Sequence, residues 1–160
     1  MKAGVNDMEY KNIRKAEPAD AFRLAEIEVF NYRLNFYPIF KTDGYFFREL
    51  SVPVLMGEYE TDNALIERSL VYDDGIVKGF IRVRGEHIEK LFVEPVFQRD
   101  GIGEELLLFA VRERGANELL VLEKNEKAIR FYERNGFYLT SEKQRVDDTA
   151  EYLIMMRRRG

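Results

Sequence analysis

The sequence has 160 residues, of which 46% are hydrophobic and 34% charged, and a formal net charge of −4. This length favours one domain and suffices to bury about 68–70% of the surface that the unfolded chain exposes. The chain has no cysteine and a single histidine, His87, which excludes disulfides, thiolate nucleophiles and zinc sites of the finger type. We therefore expect no metal site, and the negative charge argues against DNA or RNA as a partner.

The apolar runs are far shorter than the ~20 residues of a membrane-spanning helix. The N-terminal segment MKAGVNDMEYK lacks the apolar centre of a signal peptide. These features predict a cytoplasmic protein with no membrane partner. We expect residues 1–160 to form a single domain, with residues 1–9 as a loose N-terminal extension.

The first half of the chain combines helices with a hairpin. Residues 11–16 predict a short strand, and Pro18 precedes residues 19–36, which predict a long helix. Pro53 interrupts residues 44–60 and predicts two short helices there. Residues 64–85 predict a strand, a turn at Asp74-Gly75 and a partner strand.

The second half alternates strands and helices. Pro95 closes a predicted strand, and Gly115 ends a predicted helix in the usual C-terminal position. The successive elements are a strand at 86–95, a helix at 102–114, a strand at 118–125, a helix at 126–136 and two strands at 137–144 and 150–158. This order predicts an α+β (α/β/α) sandwich around one mixed, mostly antiparallel sheet of about six to seven strands with about four helices.

Two glycines, Gly101 and Gly103, lie between the strand at 86–95 and the following helix. Backbone N–H groups at a helix start bind phosphate, and glycine lets the anion approach closely; the alternative is a tight turn with no ligand. A dinucleotide fingerprint requires a third glycine where Leu106 stands, and the Gly-Lys-Ser/Thr of an ATPase loop is absent.

The segment Gln98-Arg99-Asp100-Gly101-Ile102-Gly103 has the form Gln/Arg-x-x-Gly-x-Gly and follows a strand. Further on, NEKAIRFYERNGF (residues 125–137) is similar to Asn-x-x-Ala-x-x-Phe-Tyr-x-x-x-Gly-Phe. With both segments in this order, the chain resembles the GCN5-related N-acetyltransferase (GNAT) superfamily from about Lys11 to Arg158. The resemblance implies the acyl-CoA N-acyltransferase fold, with acetyl-CoA as cofactor.

The resemblance also implies cofactor contacts, in which the glycine loop wraps the pyrophosphate and the end of the preceding strand binds the pantetheine amides. The corresponding residues are Leu91, Phe92, Val93, Gln98, Arg99, Asp100, Gly101, Ile102, Gly103, Glu104, Asn125, Ala128 and Tyr132. Asn125 also suits the cap of its helix. Asp100 departs from the family, where this position is often basic or glycine; its carboxylate would repel a pyrophosphate if it pointed inward, unless Arg99 offsets it.

Catalysis needs an acid and a base. The resemblance implies that Tyr132 protonates the departing thiolate, and the alternative is a core tyrosine. A lysine-type amine has a pKa near 10.4, so its ammonium must lose a proton. Glu89 is the first candidate for this base and His87 the second; the alternatives are a structural carboxylate and a rim histidine. Strand alternation predicts one face with His87, Glu89, Leu91 and Val93, and another with Ile88, Lys90 and Phe92.

The aromatic segment Phe30–Leu50 corresponds to the wall of the acceptor site in the resembled fold. Tyr37, Phe40 and Tyr45 are the predicted substrate-binding residues, and the alternative is that these rings pack the helices onto the sheet. The predicted acceptor is an amine of a small molecule or a peptide.

The predicted function is therefore acetyl-CoA-dependent N-acetyl transfer directly to a primary amine. The alternative is a non-catalytic CoA-binding sensor or partner module of the same fold. A toxin that acetylates aminoacyl-tRNA is a third hypothesis, which the charge of −4 disfavours. Edge strands often pair subunits in the superfamily, so the resemblance is compatible with a homodimer, although no feature of the sequence establishes one.

Overall fold

The structure is a computed structural model that describes residues 10–160, so the predicted N-terminal extension lies outside the described residues. Its seven strands form one sheet in the order β1-β2-β3-β4-β5-β7-β6. They are β1 (Ile13–Lys15), β2 (Ser69–Asp73), β3 (Val77–Arg84), β4 (His87–Val93), β5 (Glu118–Leu122), β6 (Phe137–Arg145) and β7 (Tyr152–Arg158). Only β4 and β5 run parallel within this part of the chain, which confirms the predicted mixed, mostly antiparallel sheet.

Six α-helices surround the sheet in the described range, where the sequence predicts about four. They are α1 (Ala21–Asn31), α2 (Tyr37–Phe40), α3 (Val52–Thr61), α4 (Asn63–Glu67), α5 (Ile102–Arg114) and α6 (Glu126–Arg134). Two π-helical turns, Tyr32–Phe36 and Tyr45–Glu49, extend α1 and precede α3. Among residues 10–160, no helix combines the length and the apolar character needed to cross a membrane.

The two additional helices are short. Helix α4 occupies residues assigned to the start of a strand, and its cap explains the difference: Asp62 accepts a hydrogen bond from the N–H of Ala64 at 3.0 Å. This cap starts a helix before β2, so the strand begins at Ser69 and not at Ala64.

Each face of the sheet has its own core. On one face α5 and α6 pack on the strands through residues such as Leu106, Leu107 and Tyr132. On the opposite face α1 and α3 pack on the strands through residues such as Leu24 and Leu55. The sheet is therefore covered on both sides.

Strands β4 and β5 form a fork. Their parallel pairing is limited to His87 with Glu118 and Ile88 with Leu119. On its other edge β4 stays paired with β3 as far as Val93. The edges of residues 89–93 and 120–122 that face each other therefore diverge and leave backbone groups unpaired inside the fork.

A β-bulge lies in β4 at Glu89. Arg82 pairs with Lys90 but the next residue, Val83, pairs with Ile88, so Glu89 has no partner in the register. The extra residue places Ile88 in the core under α5 together with Val93. The strict alternation predicted for this strand is therefore wrong at its N-terminal end.

Candidate active site

The glycine loop connects the open end of the fork to α5. Arg99 and Gly101 have φ angles of 78° and 81°, in the left-handed region. Gly101 caps α5, and within residues 10–160 the start of this helix has no side-chain cap. Its first N–H groups and the positive end of the helix dipole therefore point outward from the loop. Arg99 and Asp100 are exposed on its surface.

Gly79 and Gly103 lie near the loop, and the structural reason for a glycine differs between the two positions. A Cβ added to Gly79 would lie 2.9 Å from the carbonyl oxygen of Phe92, so packing within the protein requires a glycine there. A Cβ added to Gly103 would lie 3.6 Å from both the Phe131 ring and Val93, an ordinary contact distance. Because the protein itself has room for a side chain at Gly103, glycine there leaves space for a ligand. This geometry fits a bound pyrophosphate.

The side chain of Gln98 links the glycine loop to the end of β4 and to α1. Its Nε2 donates to the carbonyl oxygen of Val93 at 3.1 Å and to Oδ1 of Asn31 at 3.2 Å, and its Oε1 accepts from Nζ of Lys127 at 3.2 Å. Asn31 is buried and also donates to the same Val93 carbonyl at 2.9 Å. The side chain of Gln98 is thus hydrogen-bonded within the protein. Asn31 was not among the predicted site residues, because nothing in the local sequence of α1 distinguishes it.

Helix α6 packs on the same face of the sheet as α5. The Asn125 side chain accepts from the N–H of Ala128 at 3.2 Å, which confirms its predicted role as a cap. Ala128 and Tyr132 lie one turn apart and both contact the core under α5 and α6. The signature segment therefore presents one face of α6 to the sheet.

Tyr132 is nearly inaccessible to solvent, with 9% of its surface exposed. Its ring makes edge contacts with Phe131 and Phe137, at centroid distances of 5.2 and 5.7 Å. Burial raises the pKa of Tyr132, and its hydroxyl makes no hydrogen bond with the described residues. The phenol therefore stays protonated over the neutral range and remains available as a donor.

Glu89 lies in the bulge, where the two strands diverge. Its Oε2 is 3.5 Å from Nε of Arg84, and its Oε1 is 3.9 Å from Nη1 of Arg68. That Oε1 is buried and has no hydrogen-bond partner among residues 10–160. A buried carboxylate oxygen without a partner is costly, and it can accept a proton or a hydrogen bond from a ligand.

His87 lies at the closed end of the fork. Its Nδ1 is 2.8 Å from Oε2 of Glu118, the residue opposite it on β5. In the tautomer with a proton on Nδ1, this nitrogen donates a hydrogen bond to Glu118. The other ring nitrogen, Nε2, is then free of a proton and can accept one. Sequence analysis did not identify Glu118, because only the pairing of β4 with β5 brings it to His87.

A cavity of about 500 Å³ lies on the α1/α3 face, over β3 and β4. Of the three predicted acceptor residues, Tyr45 lines it. Tyr37 instead donates to Oδ1 of Asp43 at 2.6 Å, and Phe40 stacks on Phe46, so both pack the helices. Besides Tyr45, the polar lining consists of residues that were not among the predicted substrate-binding residues: Glu28, Tyr32, Glu58, Tyr59, Thr61, Asp62, Arg82 and Lys90.

Lys90 is held at the base of this cavity. Its Nζ donates to the hydroxyl of Tyr32 at 2.5 Å and lies 3.2 Å from Oε2 of Glu28. Burial lowers the pKa of Lys90, but the attraction of Tyr32 and Glu28 outweighs burial, so the pKa is raised. Lys90 is therefore a fixed cation and a poor nucleophile.

The sequence of the central region matches a known family. Residues 66–139 match the model for the acetyltransferase (GNAT) domain. The peptidyl-lysine N-acetyltransferase YjaB of Salmonella typhimurium is 36% identical over 73 residues, which is 46% of this chain and 50% of that protein. YiaC of Escherichia coli, also named a peptidyl-lysine N-acetyltransferase, is 34% identical over 68 residues, or 42% of this chain and 47% of that protein. The chain thus spans about half the length of these curated relatives.

Solved structures share the fold over nearly the whole chain. The apo form of YjaB from Escherichia coli has a TM-score of 0.66 at 21% identity and covers 92% of this chain and 97% of its own. The PaiA N-acetyltransferase of Thermoplasma acidophilum, solved with coenzyme A, has a TM-score of 0.65 at 22% identity and covers 92% and 98%. The forked sheet is thus the acyl-CoA N-acyltransferase fold. The match of residues 66–139 to the acetyltransferase (GNAT) domain model lies within this fold.

Proposed function

We propose that this protein is an acetyl-CoA-dependent N-acetyltransferase that passes the acetyl group directly to a primary amine. The observation that carries this proposal is the open fork, which ends in a helix N-terminus where Gly103 leaves ligand space. The names of the curated relatives support a peptidyl lysine or a similar amine as acceptor. Cytoplasmic location and a homodimer remain predictions.

In this proposal the backbone of residues 98–104 holds the pyrophosphate, and the unpaired edge of Leu91–Val93 holds the pantetheine amides. Two observations on residues 10–160 support this assignment: the start of α5 has no side-chain cap, and the register of β4 with β5 ends before Leu91. Acetyl-CoA supplies the activated acetyl thioester. Asp100 is exposed beside Arg99, so its carboxylate can face solvent and leave the anion site to the backbone.

Two side chains carry the proton transfers. Glu89, whose Oε1 has no hydrogen-bond partner among residues 10–160, takes a proton from the acceptor ammonium directly or through one water molecule. Tyr132 donates its phenolic proton to the departing sulfur, because burial keeps the phenol protonated. His87 is the second candidate for the base, oriented by Glu118.

The cofactor site is tested by calorimetric titration with acetyl-CoA. We expect the wild type to bind with a micromolar Kd and Gly103→Ala to bind at least ~10-fold more weakly, about 1.4 kcal/mol. Gly57→Ala is the matched control, because Gly57 also lies in a helix and its added Cβ would meet nothing within 4 Å. Equal affinity in all three proteins would contradict a ligand at Gly103.

The activity is tested by acetylation of an amine panel with wild type and Glu89→Gln. We expect Glu89→Gln to lower kcat/KM at neutral pH by about 100-fold if the carboxylate is the base. An unchanged rate would transfer that role to His87 or to water. A wild type that binds acetyl-CoA but acetylates no amine would indicate the CoA-binding module instead.

A further inference from the structure

Arg82 is a buried cation without a counter-charge in the part of the chain that the structure describes. It is 2% exposed and lines the cavity on the α1/α3 face. Its Nε donates to the carbonyl oxygen of Leu65 at 3.1 Å and to Oγ of Ser69 at 3.0 Å, and its Nη2 donates to the hydroxyl of Tyr59 at 2.5 Å. All three partners are neutral. Within residues 10–160 no carboxylate pairs with Arg82, and its Nη1 makes no hydrogen bond.

The neighbour of Arg82 increases this imbalance. Arg82 and Lys90 are directly opposite in the β3–β4 register, and both side chains enter the same cavity. Like charges directly opposite each other on antiparallel strands repel. Glu28 neutralises Lys90. One positive charge therefore remains at the base of the cavity, in a place where burying an unpaired charge is unfavourable.

We propose that this cavity binds the carboxylate of the acceptor, so that the substrate is a small amine that also carries a carboxylate. This inference rests on the proposed acetyltransferase function. A carboxylate matches the planar donor fork of a guanidinium, and the unbonded Nη1 of Arg82 is the donor left for it. Glu28 balances the charge of Lys90 only, and the carboxylate of the ligand balances the charge of Arg82.

The position of Arg82 also sets the length of the substrate. Arg82 lies on β3, one strand away from β4, whose far edge faces the fork. Neighbouring strands are about 4.8 Å apart, so an amine at the fork and a carboxylate at Arg82 are separated by roughly 5–10 Å. This span suits an amine and a carboxylate joined by a short flexible chain.

The mouth of the cavity has the opposite charge. Glu58 is exposed, and Asp62 caps α4; both line the outer part of the cavity. Carboxylates at the mouth repel anions, and the ammonium group of a zwitterion offsets this repulsion as the substrate enters. A zwitterion therefore complements the cavity better than a simple anion does.

The test compares acids with their amides. We use the series glycine, β-alanine, 4-aminobutanoate and 6-aminohexanoate, each with its carboxamide, in a steady-state acetylation assay with wild-type protein. We expect at least one acid to exceed its amide by about 10-fold or more in kcat/KM, with an optimum at an intermediate chain length. Equal values for every acid and amide would overturn the inference and leave the acetyltransferase function intact.

Two variants and a binding measurement complete the test. Arg82→Met should abolish the preference for acids, and Arg82→Lys should keep part of it. If Arg82→Met does not fold, the comparison of acids with amides in the wild type still decides. Thermal-shift measurements with the same ligands at matched ionic strength detect binding without turnover. Stabilisation by acids alone, without acetylation of any amine, would support the carboxylate site and contradict the proposed transferase.

Discussion

The two faces of the sheet bury different chemistry. Under α5 and α6 the buried cluster is apolar, and Tyr132 is its only member with a polar group in the described chain. Under α1 and α3 the described part of the chain also buries five polar or charged side chains: Asp20, Glu28, Asn31, Ser69 and Arg82. The comparison shows that one face contributes mainly to stability, while the other combines a core with a polar cavity.

The polar face is organised by hydrogen bonds between elements that are distant in sequence. Asn31 joins α1 to the end of β4, and Ser69 donates to the carbonyl oxygen of Leu65 at 2.6 Å while it accepts from Arg82. Such buried networks add little net stability relative to apolar packing of the same volume. Their presence beside a cavity therefore favours a role in recognition.

The largest expected effect is on the apolar face. Leu106→Ala removes a fully buried side chain under α5 and should lower the free energy of unfolding by about 3 kcal/mol. Leu34→Ala, at a half-exposed leucine, is the control and should change it by less than about 0.5 kcal/mol. Urea denaturation measures both. A loss below about 1 kcal/mol for Leu106→Ala would contradict the assignment of stability to this face.

The next largest expected change in the free energy of unfolding comes from a substitution on the polar face, under α1 and α3. Lys90→Met leaves the buried Glu28 without its partner and should cost about 2 kcal/mol, because the charge stays buried and unpaired. The double variant Glu28→Gln/Lys90→Met removes both charges and should regain part of that loss. The same urea denaturation reports the coupling. If the double variant were as unstable as the sum of the two single variants, Glu28 and Lys90 would be energetically independent.

Tyr132 provides a further test of the difference between the two faces, because it carries a polar group within the apolar cluster under α5 and α6. Tyr132→Phe removes a hydroxyl that has no hydrogen bond with the described residues, so the melting temperature should stay the same or rise slightly. The acetylation rate should fall about 100-fold, the range expected for a lost general acid. Tyr138→Phe, on β6 outside the fork, is the matched control. A parallel loss of stability and rate would indicate a structural tyrosine.

Much of the fold follows from local sequence signals. The strands β2 to β7 and the helices α1, α5 and α6 appear where apolar periodicity and the Gly and Pro boundaries predict them. Helix α2 has only four residues, too few for a periodic pattern. The bulge at Glu89 was not predictable, because it exists only in the pairing of β4 with β3.

The candidate site divides in the same way. The segments proposed to bind the cofactor are contiguous, and the glycine loop and the α6 signature are visible in the sequence. The acceptor side of the site is assembled from distant positions: Lys90 meets Tyr32, 58 residues away, and Arg82 meets Tyr59, 23 residues away. No local pattern predicts such contacts, which arise when α1 and α3 pack on the sheet.

The smallest expected effect on the free energy of unfolding comes from Asp20, which lies at the start of the polar face under α1 and α3. Asp20, just before α1, bonds to Arg14 at 2.8 Å, and Arg14 also contacts Asp73 at 2.9 Å. The hydrogen bond from Arg14 lowers the pKa of Asp20 and outweighs burial, which raises it.

Because the folded-state pKa lies below the unfolded value of about 3.9, Asp20 contributes stability fully above that pH and loses it as the pH falls through the folded-state pKa. Asp20→Asn should therefore lower the free energy of unfolding by about 1 kcal/mol at pH 7, and the difference from wild type should shrink as the solution becomes more acidic. Denaturation at several pH values between 7 and 3, with the exposed Asp43→Asn as control, measures this slope. A difference that did not change with pH would assign the loss to the cap that Asp20 provides for the N–H of Glu17, and not to its charge.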